Sequence, residues 1–186
     1  MTSSTNYNYV KTLVNVENVF DFWIAENWVA NYDIVNTRYY QNKNFDDNRW
    51  HMIFFDLDNA IYNVDFNYFN FSTNPSGMKG LYSTTLLRKL LQNKEGRALF
   101  LERLSYQLKN VWNYDRVIKQ IDYLDNIYSK EVTRHYKRYG FNPSKYTDEI
   151  KYLKNYAKNR QKYIISQAKT FFNMSSSEVE RYFGGL

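Results

Sequence analysis

Asp33 and Asn36 stand just ahead of one β-favouring run, residues 37–40, and Asp56 and Asp58 follow another, residues 50–55. The two runs are rich in Tyr, Trp, Ile and Phe. Between them lie residues 41–49, dense in Asn and Asp, so the spacing predicts a β-hairpin with a longish exposed loop. A hairpin returns its two ends to the same edge, which places these acidic groups near one another. Carboxylates with an amide oxygen form an oxygen-ligand set, suited to a hard cation such as Mg²⁺ or Mn²⁺. Mg²⁺ takes only one or two carboxylates and completes its shell with water and phosphate. A phosphate-bearing substrate is the natural companion, with a remaining Asp able to act as general base. The same residues also suit a plainer reading, in which the Asp33/Asn36 pair is an Asx-turn or helix cap and Asp56-Leu57-Asp58 opens a turn.

Composition removes the competing chemistries. The 186 residues include no Cys and only His51 and His135, so thiolate nucleophiles, disulfides and Cys- or His-based zinc sites are excluded. Hydrophobic residues make up 44%, with 19 Tyr, 13 Phe and 4 Trp, enough to bury a core. No apolar run approaches the roughly 18 residues that span a bilayer, and the first residues lack the basic start and apolar stretch of a signal peptide. The net charge of +6 is unevenly divided. Residues 1–80 hold 5 basic and 9 acidic side chains (net −4), and residues 81–186 hold 20 and 10 (net +10). The acidic residues are concentrated around the hairpin.

The elements that must position the acidic groups are mostly helical. Val19, Phe20, Trp23, Ile24, Trp28 and Val29 recur at spacings of one, three and four, which predicts a buried helix over 16–30 with Glu17, Asp21 and Glu26 toward its outer side. Residues 1–15 are expected to be a disordered or linker terminus. After Asp58 a stretch to about residue 82 shows no clean period, and Pro75, Gly77 and Gly80 mark turns in it. Helices are expected over 86–92 behind a Ser83 or Thr84 cap, through Leu99, Leu101, Leu104 and Leu108, over 115–139 up to Gly140, and over 146–172. A short terminal helix starts at residues 175–177 with Glu178 and Glu180. The fold class is therefore mostly α with one small β-hairpin.

Several stretches together resemble the CotH kinase family of spore-coat and related bacterial proteins. They are Ala30-Asn31-Tyr32-Asp33 with Asn36, Arg49-Trp50 leading to Asp56-Leu57-Asp58, Leu86 to Leu91, Phe100 to Leu104, Glu131 with Arg134, His135 and Gly140, and Arg160 with Tyr163. The match runs in order through nearly all of residues 16–172. It implies the C-terminal lobe of an atypical protein kinase, with residues 16–82 as the catalytic and metal hairpin region and 83–186 as a helical subdomain. On that resemblance Asp33 corresponds to the catalytic-loop Asp that orients or deprotonates the acceptor hydroxyl. Asn36 is the nearby metal- and cofactor-binding Asn, Asp56 the metal-binding Asp of the following loop, and Asp58 its support. The implied cofactors are ATP with Mg²⁺ or Mn²⁺, and the implied partner is a protein Ser/Thr substrate of a spore coat or cell surface. Two departures stand out. Leu57 replaces the usual aromatic between the aspartates, and no Gly-x-Gly-x-x-Gly loop occurs, so the N-terminal lobe is expected outside this chain.

The remaining candidates read more plainly. Arg38 could face phosphate from the hairpin, although a solvent-facing strand Arg is the simpler assignment. His51 reads as a half-buried structural residue, and Arg134 with His135 as a tie between helices or a helix C-terminal cap. The basic residues 145, 151, 154, 158, 160, 162 and 169 read as a solvated helix face, and Tyr146, Tyr152, Tyr156 and Tyr163 as core with hydroxyls reaching water. The alternative to a kinase is a non-enzymatic helical scaffold or binding module. Nucleic-acid binding ranks below both, because no aromatic stacking platform interleaves with a basic groove.

Overall fold

The computed structural model describes residues 3–34, 37–44, 47–75 and 83–186. The apolar stripe from Val19 to Val29 makes α2 (Val16–Val29) the centre of the molecule, and all six of its named residues are buried. Asn15 caps the helix, its Oδ1 accepting the Asn18 N–H at 3.0 Å. The other end closes through a left-handed residue, Ala30 (φ 49°), whose N–H and that of Asn31 turn back to the carbonyls of Asn27 (3.2 Å) and Glu26 (3.3 Å).

Residues 4–13, expected as a disordered or linker terminus, form helix α1 (Ser4–Leu13). The reason is Tyr7, the one of the two tyrosines in this polar stretch that packs into the core, 1% exposed. Beyond it, Leu13 and Asn15 exchange backbone bonds with Trp50, tying the chain's start to the hairpin.

The hairpin pairs β1 (Arg38–Tyr40) with β2 (His51–Ile53) antiparallel, in the register Arg38 to Ile53, Tyr39 to Met52 and Tyr40 to His51. A two-stranded sheet is marginal alone; here α2 holds it. The Asn18 side chain imitates a third strand, accepting the Met52 N–H at 2.6 Å and donating to the Met52 carbonyl at 3.3 Å. Asp47 clasps the connecting loop, accepting from the Arg49 guanidinium, His51 Nε2 (3.2 Å) and Asn15 Nδ2 (3.2 Å). Those donors hold its carboxyl well below the usual carboxylate range, the Arg49 side chain contributing most. His51, 6% exposed and stacked on Tyr40, has the structural role expected of it.

The irregular stretch after Asp58 contains one short helix, α3 (Tyr68–Thr73), while the turn marks at Gly77 and Gly80 lie outside the described residues. Helices α4 (Thr85–Leu91) and α5 (Lys94–Asn110) follow. Arg103 on α5 clamps α2 by pairing with Asp21 (Nε to Oδ1, 2.7 Å) and Glu17 (3.0 Å), and Gln107 donates to the same Asp21 at 2.7 Å. Gly96 sits where α5 meets α4. A β-carbon there would stand 2.3 Å from the Leu90 carbonyl oxygen and 3.2 Å from the Tyr7 ring. Gly96→Ala is therefore expected to destabilise the fold by about 1–3 kcal/mol, because overpacking outweighs alanine's helix propensity. A lower urea midpoint with an unchanged slope would show it; an unchanged or raised midpoint would refute the close approach.

Helices α6 (Tyr114–Arg138) and α7 (Ser144–Phe171) form a hairpin, with Gly140 in the left-handed conformation (φ 72°) just after α6. The Tyr146 hydroxyl donates to Asp125 (2.8 Å) and Lys154 pairs with Asp122 (2.6 Å). The second half of α7 turns inward, burying Tyr156, Ala157, Arg160, Ile164 and Ala168. This corrects the solvated reading of Arg160, which is fully buried. Its guanidinium donates to the carbonyls of Asn27 (2.5 Å), Trp28 (3.2 Å), Val64 (2.8 Å) and Phe66 (2.9 Å), and to Asn27 Oδ1 (3.1 Å). The reading of tyrosine hydroxyls in water fails at Tyr156 for a related reason: its hydroxyl donates to the Trp28 carbonyl at 2.6 Å. Both side chains donate to the Trp28 carbonyl, left open at the end of α2.

The last helix, α8 (Ser176–Phe183), has the expected Ser175/Glu178 capping box. Among the described residues no helix is long and apolar enough to cross a membrane.

Candidate functional site

The candidate site lies where the end of α2 meets the ends of the hairpin. Past the left-handed Ala30, Asn31 is buried and its Oδ1 accepts the Asp33 N–H at 3.0 Å, an Asx-turn that fixes the direction of Asp33. The Asn31 Nδ2 reaches across to the Asp56 carbonyl at 3.5 Å. One buried amide thus spans the chain entering the hairpin and the chain leaving it. Asp56 is in the left-handed region (φ 61°), which an aspartate enters at some cost.

The carboxylates meet at Asn59. Its Nδ2 lies 3.5 Å from Asp33 Oδ2 and 3.3 Å from Asp58 Oδ1. The Tyr32 hydroxyl donates to Asn59 Oδ1 at 3.0 Å, which turns the amide nitrogen toward the two acids. An N–H placed between two carboxylates relieves their repulsion in the position where a cation would do the same. The Tyr32 ring is held edge-on by Tyr62 at 5.0 Å. The structure therefore brings Asp33 and Asp58 together and ties Asp56 to them through its backbone.

Two expected members stand elsewhere. Asn36 lies outside the described residues. Arg38 is exposed on β1, its guanidinium 5.7 Å from the Phe55 ring and bonded to the Thr37 carbonyl at 3.3 Å. Among the described residues no three His, Cys, Asp or Glu side chains converge as a metal cage. The acidic side chains that meet here, Asp33 and Asp58, offer oxygen donors only, the type a hard cation such as Mg²⁺ takes.

Glu26 corrects the outward placement given to it by helical spacing: it is 2% exposed. With Asn31 and Asp33 it lines a narrow crevice of about 10 Å³, closed by Phe22, Ile34, Thr37 and Phe55. Burial pushes its pKa up to about 7, and the hydrogen bond from the Asn31 side chain pulls back only partly. Neither Glu26 nor Asn59 is among the residues expected at the site. Its place as the one charged residue in the largely apolar run 22–30 was the available signal for Glu26. For Asn59 the signal was its place directly after Asp58.

Comparison with curated proteins and with solved structures returned no match. Comparison with protein families gave one: residues 1–164 match the family described as CotH kinase protein. That span contains α1 to α6, the whole hairpin, every carboxylate of the site, and α7 through Ile164. The chain belongs to the CotH kinase family, a family of kinase-like phosphotransferases.

Proposed function

We propose that this chain supplies the catalytic and metal loops of a CotH-type protein kinase that moves the γ-phosphoryl group of metal–ATP to a Ser or Thr hydroxyl. The family supports the kinase-like activity, with ATP and a divalent metal as the cofactors it implies. The observation that carries the finer reading is the meeting of Asp33 and Asp58 at Asn59, with Asp56 tied in through Asn31. In the reaction the acceptor oxygen bonds to the γ-phosphorus, the bond to the ADP oxygen breaks, and the hydroxyl proton passes to Asp33. Asp56, Asn36 and Asp58 would hold Mg²⁺ or Mn²⁺, which neutralises charge building on the phosphate, and Arg38 would face the phosphates from β1. The phosphate-covering lobe and the coat or surface protein acted upon belong to this reading as partners outside the chain.

Titration of Mn²⁺ and ATP into the wild type and Asp56→Ala tests the assignment. Wild type is expected to bind Mn²⁺ at least about tenfold more tightly, since an inner-sphere carboxylate is lost in the variant. Equal binding by two folded proteins would remove Asp56 from the site. A second reading, a helical binding module, is favoured by one feature: α6 has none of its residues buried and exposes Tyr123, Leu124, Ile127 and Tyr128. In that case Asp33→Asn leaves the biological role of the protein intact, whereas a kinase loses it.

A further inference from the structure

We propose that Glu26 is the positioning residue of this site, setting the Asn31 amide that holds Asp33 and Asp56 in place. The importance of that placement rests on the kinase reading above; the placement itself does not. The geometry gives Glu26 and Asn31 two links. The Asn31 N–H donates to the Glu26 backbone carbonyl at 3.3 Å as α2 closes, and the two side chains line one crevice of about 10 Å³ together with Asp33. Glu26 cannot turn away, because it lies deep in the apolar wall of the crevice made by Phe22, Ile34 and Phe55. Among the described residues, the one other titratable group lining that crevice is Asp33. The Asn31 Oδ1 takes the Asp33 N–H, its Nδ2 reaches the Asp56 carbonyl, and the Glu26 side chain lines the same crevice beside it. Glu26 Oε2 is buried without a protein partner among the described residues. A group buried at such cost on a helix that could carry Leu or Ala there has a role other than packing.

Amide hydrogen exchange and NMR titration on the full chain test this without metal or nucleotide, so a failed Mn²⁺–ATP titration would leave the result standing. In Glu26→Ala the Asp33 amide is expected to exchange at least about tenfold faster than in wild type, while Val19 and Phe20 amides in the same helix change less than about threefold. Glu26→Gln, which keeps the shape that fills the crevice, is expected to restore Asp33 protection to within about twofold of wild type at pH 6. Should the alanine variant fail to fold, the wild type and Glu26→Gln suffice. The Asp33 amide shift is expected to titrate near pH 7 in the first and to show no such step in the second. An Asp33 amide that exchanges at wild-type rate in Glu26→Ala, or that titrates identically in wild type and Glu26→Gln, would overturn the assignment.

Discussion

Arg160→Ala is expected to cost the fold about 4 kcal/mol, close to half of what a domain of this size has to lose. The guanidinium is fully buried and makes five hydrogen bonds, all to oxygen atoms of the α2 end and of residues 64 and 66. One of these, to the Trp28 carbonyl, satisfies an acceptor that α2 cannot use itself, and another adds to the Ala30 N–H on the Asn27 carbonyl, both at the negative end of the helix dipole. Two more fix residues 64 and 66, in the segment that follows the left-handed Ile61. Truncation leaves four backbone carbonyls without this donor and a cavity where the side chain lay. Three of the four keep another donor, from the Ala30 N–H, the Tyr156 hydroxyl and the Tyr68 N–H, so the loss comes from the charged hydrogen bonds, the unpaired Val64 carbonyl and the cavity, for which about 4 kcal/mol is a moderate total. Burial lowers the pKa of Arg160, with Tyr156 and Asp65 pulling it back, but arginine stays charged. Arg160→Lys is expected to recover less than half of the loss, since one ammonium cannot reach the same spread of acceptors. Urea unfolding reads both values. A loss below about 1 kcal/mol in Arg160→Ala would mean that these carbonyls find other partners.

That prediction falls on a residue the sequence misrepresents, and the reason is physical. Along residues 145–169 the basic side chains recur so often that helical spacing cannot tell one of them from the others. Lys158 and Lys162, two residues either side, are exposed as expected, and Arg160 alone meets the end of another helix. The information that separates them is tertiary. Glu26 fails in the same way, because α2 is buried on nearly every side and has no outer face for the end of its acidic series. Glu17 and Asp21, nearer the start, do reach solvent and meet Arg103. Tyr7 shows the opposite error, a polar segment ordered by one aromatic ring. What sequence reasoning read well was short-range: the hairpin strands, the bounds of α2 within a residue, Gly140 after α6 and the Ser175 capping box. These depend on turn chemistry, capping and period, all written locally. The convergence of Asp33 and Asp58 followed from the hairpin. The amides that organise them, Asn31 and Asn59, did not, because Asn is so frequent here that no single one stands out.

Glu26→Gln is expected to make the protein more stable at pH 8, by about 2–3 kcal/mol, while changing little at pH 4.5. A buried carboxyl with its pKa raised from 4.5 to about 7 binds its proton more tightly in the folded chain than in the unfolded one. Below pH 4.5 both states are protonated and the group carries no penalty. Between pH 4.5 and 7 the unfolded chain releases its proton first, so wild-type stability falls as pH rises. Above pH 7 both states are ionised and the full penalty remains, roughly 1.4 kcal/mol for each tenfold difference in proton affinity between the folded and unfolded chain. Glutamine has the size of the protonated acid and no charge to desolvate, so the variant lacks this slope. Urea unfolding of the two proteins at pH 4.5, 6 and 8 would show their curves together at the acid end and apart at the alkaline end. A constant difference across the series would place the ionisation of Glu26 outside this window and leave its burial as packing alone. If the slope is found, the protein keeps at the root of its acidic site a residue that weakens the fold at neutral pH. A buried amide or aliphatic side chain would have been more stable there, and the function that offsets the loss is the hold on Asn31.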